Sequence, residues 1–167
     1  FWLNPYIVIA TKILIRFHAC SGIIMEPPNM ALAEQQFDPQ YIEDIPAAVR
    51  KEIALLRLGK KVNSDDTVAI TAGSRGIANI DVVMRTIVKE LKRLGSKPFI
   101  FPAMGSHGGA TAEGQLKVLA NLGITEHAMG CPLKSDMQPV CLGDAALGYP
   151  VNVDKNAVAA DHIVVVN

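Results

Sequence analysis

The chain of 167 residues contains two consecutive segments in which an apolar run leads into a glycine-rich loop and then into a helical pattern. The first segment comprises residues 67–94 with its loop at 72–76, and the second comprises residues 96–121 with its loop at 102–111. Strands that alternate with helices in this way predict parallel strands joined by right-handed crossovers. The predicted fold class is therefore α/β, three-layer, with a mainly parallel, Rossmann-like sheet.

The helical patterns begin and end at recognisable residues. Asp44 is expected to cap a first helix, which Gly59 is expected to end. Asn79 and Thr111 are predicted N-caps of the two helices that follow the glycine-rich loops, and Thr125 is predicted to cap a short helix. Short strands over 138–142 and 149–153, a short helix over 154–160 and a β-branched strand from 162 onward complete the prediction.

Composition narrows the function classes. The 16 Lys and Arg residues balance the 16 Asp and Glu residues, and aromatic residues make up 5% of the chain. A neutral, aromatic-poor chain indicates no nucleic-acid partner and no anionic membrane surface. The three cysteines lack CxxC spacing, which favours a reducing, cytoplasmic location. Cys131 and Cys141 are expected to be small core residues, because their spacing with His107 matches no compact zinc pattern.

Residues 1–30 do not fit the remainder of the chain. The stretch 6–24 is apolar but carries Lys12, Arg16 and His18, which suits neither a membrane span nor a signal peptide. A strand or helix packed on the domain, a weak anchor and upstream sequence that is not native coding remain open. We favour the last, with Met25 or Met30 as the native start. Residues 31–167 are predicted to form the N-terminal α/β domain.

Polar side chains lie in both glycine-rich loops, at the ends of predicted strands. Ser74 and Arg75 occupy the first loop, and Arg offers a planar fork that matches a carboxylate or phosphate. His107 occupies the second loop and is a candidate acid or base. Because consecutive parallel units often pair, Arg75 and His107 are expected to face one crevice. The simpler alternatives are a surface Arg in an ordinary turn and a His bonded within a glycine turn.

The loops match none of the common nucleotide or hydrolase motifs. No Gly-Lys-Ser/Thr follows the second loop, and neither GxGxxG nor GxSxG is present there. Among the other histidines, His127 is expected to be solvated in a surface helix and His162 to be structural. The acidic pairs 43–44 and 65–66 are interpreted as cap and turn charges.

The segments 67–77 (TVAITAGSRGI) and 102–111 (PAMGSHGGAT) resemble the N-terminal domain of lactate racemase-like proteins. The resemblance covers roughly residues 37–167. It implies a racemase or epimerase that acts on a small 2-hydroxy acid by proton-coupled hydride transfer to a nickel-pincer nucleotide. It also implies that the active site lies between two α/β domains.

The resemblance assigns roles residue by residue. His107 matches one of two catalytic bases, and Arg75 matches an arginine that helps hold substrate or cofactor. Ser74, Gly105, Ser106 and Gly108 would contribute to substrate or cofactor binding, and no residue is assigned as a metal ligand. The second base and the lysine that carries the cofactor covalently would lie beyond the chain. The chain is therefore expected to be truncated before the second domain and inactive by itself.

The first loop departs from the lactate racemases proper, which carry Ser-Asp-x-Thr-Arg-Pro there. Ala72 replaces the Asp, Ser74 the Thr and Gly76 the Pro, so the substrate need not be lactate. The alternative function is a non-catalytic α/β module that binds a nucleotide or phosphate. A third interpretation, a purely structural fragment, predicts that Arg75 and His107 share no cleft.

Overall fold

The computed structural model describes residues 41–145 and 148–166. The predicted leader (1–30) and residues 31–40 lie outside the described residues. Within residues 41–145 and 148–166, no helix is long and apolar enough to cross a bilayer. The helices are α1 (Ile45–Leu55), α2 (Ile80–Arg93), α3 (Ala112–Asn121), α4 (Glu126–Met129) and α5 (Lys155–Val158), and the strands are β1 (Thr67–Ala72), β2 (Lys97–Pro102), β3 (Pro139–Asp144), β4 (Pro150–Asp154) and β5 (His162–Val164).

The strand β1 lies at the centre of a parallel sheet with the order β2-β1-β5. Its pairing with β2 runs in register from Thr67 opposite Lys97 to Ala72 opposite Pro102. On the other side of β1, strand β5 pairs over three residues, also in parallel. These pairings confirm the predicted α/β class with its parallel sheet.

The two faces of the sheet are covered by different parts of the chain. The helices α2, α3 and α4 contribute buried side chains to one large core cluster with β1 and β2, and α1 packs against it. On the opposite face, Ala69, Phe99 and Phe101 pack against Ala157 of α5, with Val153 of β4 beside it. The predicted three layers are therefore present, although the layer at α5 is thin.

The order of the strands places a switch point beside β1. After β1 the chain forms β2, which pairs with one edge of β1. Leu133 then pairs in parallel with Ile100 on the other edge of β2. The chain then returns across the other face and pairs as β5 on the opposite side of β1. Ligands in open α/β sheets bind outside the carboxyl ends of the strands where the winding reverses. In this sheet that point lies between β1 and β5.

The strands β3 and β4 form an antiparallel hairpin separate from the parallel sheet, with a register shift between Cys141 and Asp144. All the residues of β3 are exposed. The expectation that Cys141 is a core residue is therefore wrong, because the strand β3 that carries it is exposed along its whole length. Cys131 is buried as expected, and its burial raises the thiol pKa to about 11.

Three of the four predicted N-caps are confirmed. The side chains of Asp44, Thr111 and Thr125 each accept a hydrogen bond from the N–H three residues further on. The predicted cap at Asn79 is wrong. Asn79 has a left-handed backbone with φ of 57°, and its side chain makes no capping hydrogen bond. Asn tolerates this conformation better than most residues, whereas a capping residue typically has an extended backbone.

The first helix ends earlier than the sequence predicts. The helix α1 stops at Leu55, and Arg57 then adopts a left-handed conformation with φ of 50°. Gly59, the expected stop, lies inside the short 3₁₀ turn that follows. The left-handed backbone at Arg57 therefore ends α1, although the apolar pattern of the sequence continues further.

The amino ends of β1 and β5 are joined by two carboxylates. Asp161 accepts hydrogen bonds from the N–H and the hydroxyl of Thr67 at 2.8 and 2.7 Å. Asp66 accepts from the N–H of Asn63 at 2.7 Å and from Nε2 of His162 at 3.0 Å. Bonding to Asn63, and then to His162, lowers the pKa of Asp66. His162 is thus structural, as expected, and Asp66 is a turn carboxylate.

These contacts predict an acid-dependent loss of stability. The N–H of Thr67, followed by its hydroxyl, holds the pKa of Asp161 below the ordinary 3.8. Asp161 therefore stabilises the fold above pH 3.8, and this contribution disappears as the pH falls through its lowered pKa. We expect Asp161→Asn to be less stable than the parent protein at neutral pH, with a smaller pH dependence in acid. Urea unfolding across this range measures both effects, and Asp144→Asn is the exposed control. Parallel curves for Asp161→Asn and the parent protein would contradict the assignment.

Candidate functional site

An open cleft of about 540 Å³ lies at the carboxyl ends of the parallel strands. It is lined by residues of the loop that follows β1, by residues of the loop that follows β2, and by Val166 beyond β5. The switch point of the sheet and the cleft therefore coincide. This is the place that the winding of an α/β sheet prepares for a ligand.

Hydrogen bonds hold the three strand ends together at the floor of the cleft. The N–H of Ala103 donates to the carbonyl of Ala72 at 2.8 Å, so the pairing of β1 with β2 continues into the loops. The hydroxyl of Thr71 accepts from the N–H of Val166 at 2.8 Å. The loops carrying Ser74 and His107 consequently leave the sheet side by side from a common base.

The residues predicted to share a crevice line one cleft. Ser74, Arg75 and His107 are all part of its lining, and Ser74 Oγ lies 2.5 Å from His107 Nδ1. Arg75 is exposed, and no carboxylate of residues 41–145 or 148–166 forms an ion pair with it. A guanidinium that has no carboxylate partner among the described residues, in one cleft with an imidazole, offers a site for an anion and a group that moves protons. This arrangement is not what the structural-fragment interpretation predicts.

The other predicted site residues divide into two groups. Gly105 lines the cleft, and a Cβ built on it would meet no atom within 4 Å. Ser106 is exposed and is not part of the lining. Gly108 faces α3, since a Cβ there would lie 2.5 Å from the backbone nitrogen of Gln115. The structure thus brings four of the six predicted residues to the cleft, and it gives Gly108 a packing reason to be glycine.

Sequence reasoning missed Gln115, which holds the histidine loop in place. Its side chain is buried, with 5% of its surface exposed. Its Nε2 donates to the carbonyl of Gly105 at 2.8 Å, and its Oε1 accepts from the hydroxyl of Ser135 at 3.4 Å. The available signal was its position four residues before the buried Leu119, on the inward face of α3. A polar residue on an apolar helix face indicates a buried hydrogen-bond partner.

The remaining candidates lie elsewhere. His127 is exposed on α4, as expected. Cys131 is buried beneath the helices, and Cys141 lies in the exposed hairpin. Within the described ranges, no group of three or more His, Cys, Asp or Glu residues is arranged to hold a metal ion.

A parallel sheet with an open cleft at its switch point defines an α/β domain built to hold a small ligand. The chain belongs to the lactate racemase N-terminal domain family, whose model matches residues 24–167. Searches of curated proteins and of solved structures returned no match. The family match confirms the resemblance carried by the two loop segments.

Proposed function

We propose that this domain forms the His107-bearing wall of the active site of a 2-hydroxyacid racemase or epimerase. Family membership supports the reaction class. The observation that carries the proposal is the presence of Arg75 and His107 in one cleft at the switch point of the sheet. The proposal assigns neither the second base nor the covalent lysine to a residue of this chain.

Arg75 is proposed to bind the carboxylate of the substrate. Its guanidinium carries a permanent positive charge, and its planar fork can donate two parallel hydrogen bonds to a carboxylate. Such binding would fix the orientation of the neighbouring Cα and hydroxyl group relative to His107. Holding reacting groups in one orientation removes much of the entropic part of a barrier.

His107 is proposed to take the proton of the substrate hydroxyl and to return it. Its imidazole lies at the cleft, where it is accessible to a bound hydroxy acid. As the O–H bond breaks, the oxygen retains the electron pair that becomes the second bond of the carbonyl. Reversal of the transfer at His107 regenerates the enantiomer that His107 deprotonates, and the second base would serve the other enantiomer.

The residues of the cleft fit the anionic part of a nickel-pincer nucleotide. A Cβ built on Gly73 or Gly105 would meet nothing within 4 Å, so both positions leave space for a ligand to approach the backbone. When bound, the nucleotide would supply the acceptor and donor for the hydride of the substrate Cα. No described residue needs to ligate the nickel, because the nucleotide itself carries it.

The same cleft would also suit a phosphate-binding module without catalysis. The features that favour this alternative are the open glycine backbone, an Arg75 that forms no ion pair with any described carboxylate, and Ala72 in the place of the family's Asp. The two functions differ in one outcome. An enzyme loaded with its nickel cofactor interconverts the enantiomers of a small 2-hydroxy acid, whereas the module binds the nucleotide and leaves the acid unchanged.

Replacement of Arg75 tests the proposed carboxylate contact. We expect Arg75→Ala to raise the KM for a 2-hydroxy acid by about 10- to 100-fold, as the loss of a charge-assisted hydrogen bond would. Arg75→Lys should restore part of the loss, because the charge remains without the planar fork. Arg50→Ala, on the exposed surface of α1, is the matched control. A KM unchanged in Arg75→Ala would remove Arg75 from the site.

A further inference from the structure

The imidazole of His107 has one side-chain partner among the described residues. Ser74 Oγ lies 2.5 Å from Nδ1 of the ring, across the two loops that follow β1 and β2. The rest of the ring lies at the exposed end of its loop and lines the cleft. Nδ1 is therefore engaged within the protein, and Nε2 is the nitrogen left for a ligand.

We infer that Ser74 is a positioning residue that holds His107 in the tautomer with its proton on Nδ1. In that tautomer the Nδ1–H group donates to Ser74 Oγ, and Nε2 carries the free electron pair that can accept a proton. The inference rests on the proposed function of His107 as a base. It adds which nitrogen moves the proton and which side chain prepares that nitrogen.

A hydroxyl group suits this task for a reversible reaction. When Nε2 takes a proton, Nδ1–H continues to donate to Ser74 Oγ, so the ring need not reorient during the transfer. A carboxylate in the same place would stabilise the charged imidazole and make return of the proton harder. Ser74 is neutral, so it orients the ring while leaving the two directions of transfer more evenly balanced.

The fold fixes the distance between the two side chains. Ala72 and Pro102 are paired at the ends of β1 and β2. Ser74 lies two residues after Ala72, and His107 lies five residues after Pro102. The Gly105 carbonyl is held by the buried Gln115, which restrains the loop ahead of His107. Because both loops are anchored at the same strand ends, the contact requires no ligand to form.

The tautomer can be measured without cofactor or substrate. We expect long-range ¹H–¹⁵N spectra of the ¹⁵N-histidine-labelled protein, at a pH where imidazole is neutral, to show His107 with its proton on Nδ1. Ser74→Ala should shift His107 toward the Nε2–H form that free imidazole side chains prefer, and Ser74→Thr should retain the Nδ1–H form. Ser64→Ala, in the exposed turn before β1, is the control that should change nothing. The same His107 tautomer in Ser74→Ala as in the parent protein would overturn the inference.

Kinetics of the nickel-loaded enzyme that joins this domain to its implied second domain provide the second measurement. Ser74→Ala should lower kcat about 10-fold, the equivalent of one hydrogen bond, with little change in KM. Ser74→Thr should recover most of the activity. Ser74→Asp should move the acidic limb of the pH–rate profile to higher pH, because a carboxylate stabilises the protonated ring. If the acidic limb of the pH–rate profile does not move in Ser74→Asp, Ser74 does not act through His107. Full activity in His107→Ala would instead overturn the proposed function.

Discussion

Gly114→Ala will destabilise the domain, although alanine is a better helix former than glycine by about 1 kcal/mol. A Cβ built on Gly114 would lie 1.7 Å from the carbonyl oxygen of Gly108 and 2.8 Å from Thr111 Oγ1. A backbone oxygen cannot yield without moving the histidine loop away from α3. We expect a net loss of about 2 kcal/mol in the free energy of unfolding, measured by urea denaturation. A variant as stable as the parent protein, or more so, would show that the loop does not pack on α3 in this way.

The histidine loop contributes Gly108 to this contact with α3, and the neighbouring Gly109 provides a matched control. Gly108 and Gly109 have nearly equal φ angles of 67° and 69°. A Cβ on Gly108 would lie 2.5 Å from the backbone of α3, whereas a Cβ on Gly109 would meet nothing within 4 Å. Gly109→Ala should therefore cost only the left-handed strain, about 1–2 kcal/mol. Gly108→Ala should cost about 1–3 kcal/mol more, and equal losses would contradict the packing argument.

His107→Ala should abolish most of the enantiomer interconversion while leaving the fold intact. Loss of a general base typically lowers the rate by about 10²- to 10⁴-fold. The His107 side chain is exposed, so the free energy of unfolding should change by less than about 0.5 kcal/mol. The initial rate of interconversion and a urea melt of the same preparation measure the two effects.

The histidine on α4 provides the control for that substitution. His127 is also exposed, but it does not line the cleft, so His127→Ala should retain full activity. A His107→Ala protein that is folded, loaded with cofactor and as active as the parent protein would remove His107 from the mechanism. An unfolded His107→Ala protein would contradict the stability expectation, because an exposed side chain on a loop should not support the core.

Much of the fold was accessible from the sequence because its determinants are local. The apolar runs at β1 and β2, the stripe of α2 and the caps at Thr111 and Thr125 each depend on residues a few positions apart. The exposed hairpin was predicted as two strands, but its separation from the sheet depends on long-range pairing. The failed cap at Asn79 has a different cause, since the backbone there adopts a conformation that residue type alone does not specify.

The candidate site was predicted only in part, because some of its contacts join elements that are far apart in the sequence. The placement of Arg75 and His107 in one cleft followed from the rule that consecutive parallel units pair. The position of β5 beside β1, which adds Val166 to the cleft, could not be inferred from local patterns. The bond from Gln115 to Gly105 is likewise a contact between separate elements, visible only after the chain is folded.

We propose that the cleft serves hydride-based interconversion of a 2-hydroxy acid, with His107 moving only the hydroxyl proton. The most direct measurement uses the nickel-loaded enzyme in which this domain is joined to the second domain that the family resemblance implies, incubated in ordinary water with one enantiomer of a small 2-hydroxy acid that carries deuterium at Cα. Chiral chromatography with mass detection then identifies the product. We predict the opposite enantiomer with its deuterium retained at Cα. The absence of the opposite enantiomer, or a product whose Cα deuterium has exchanged with water, would contradict the account.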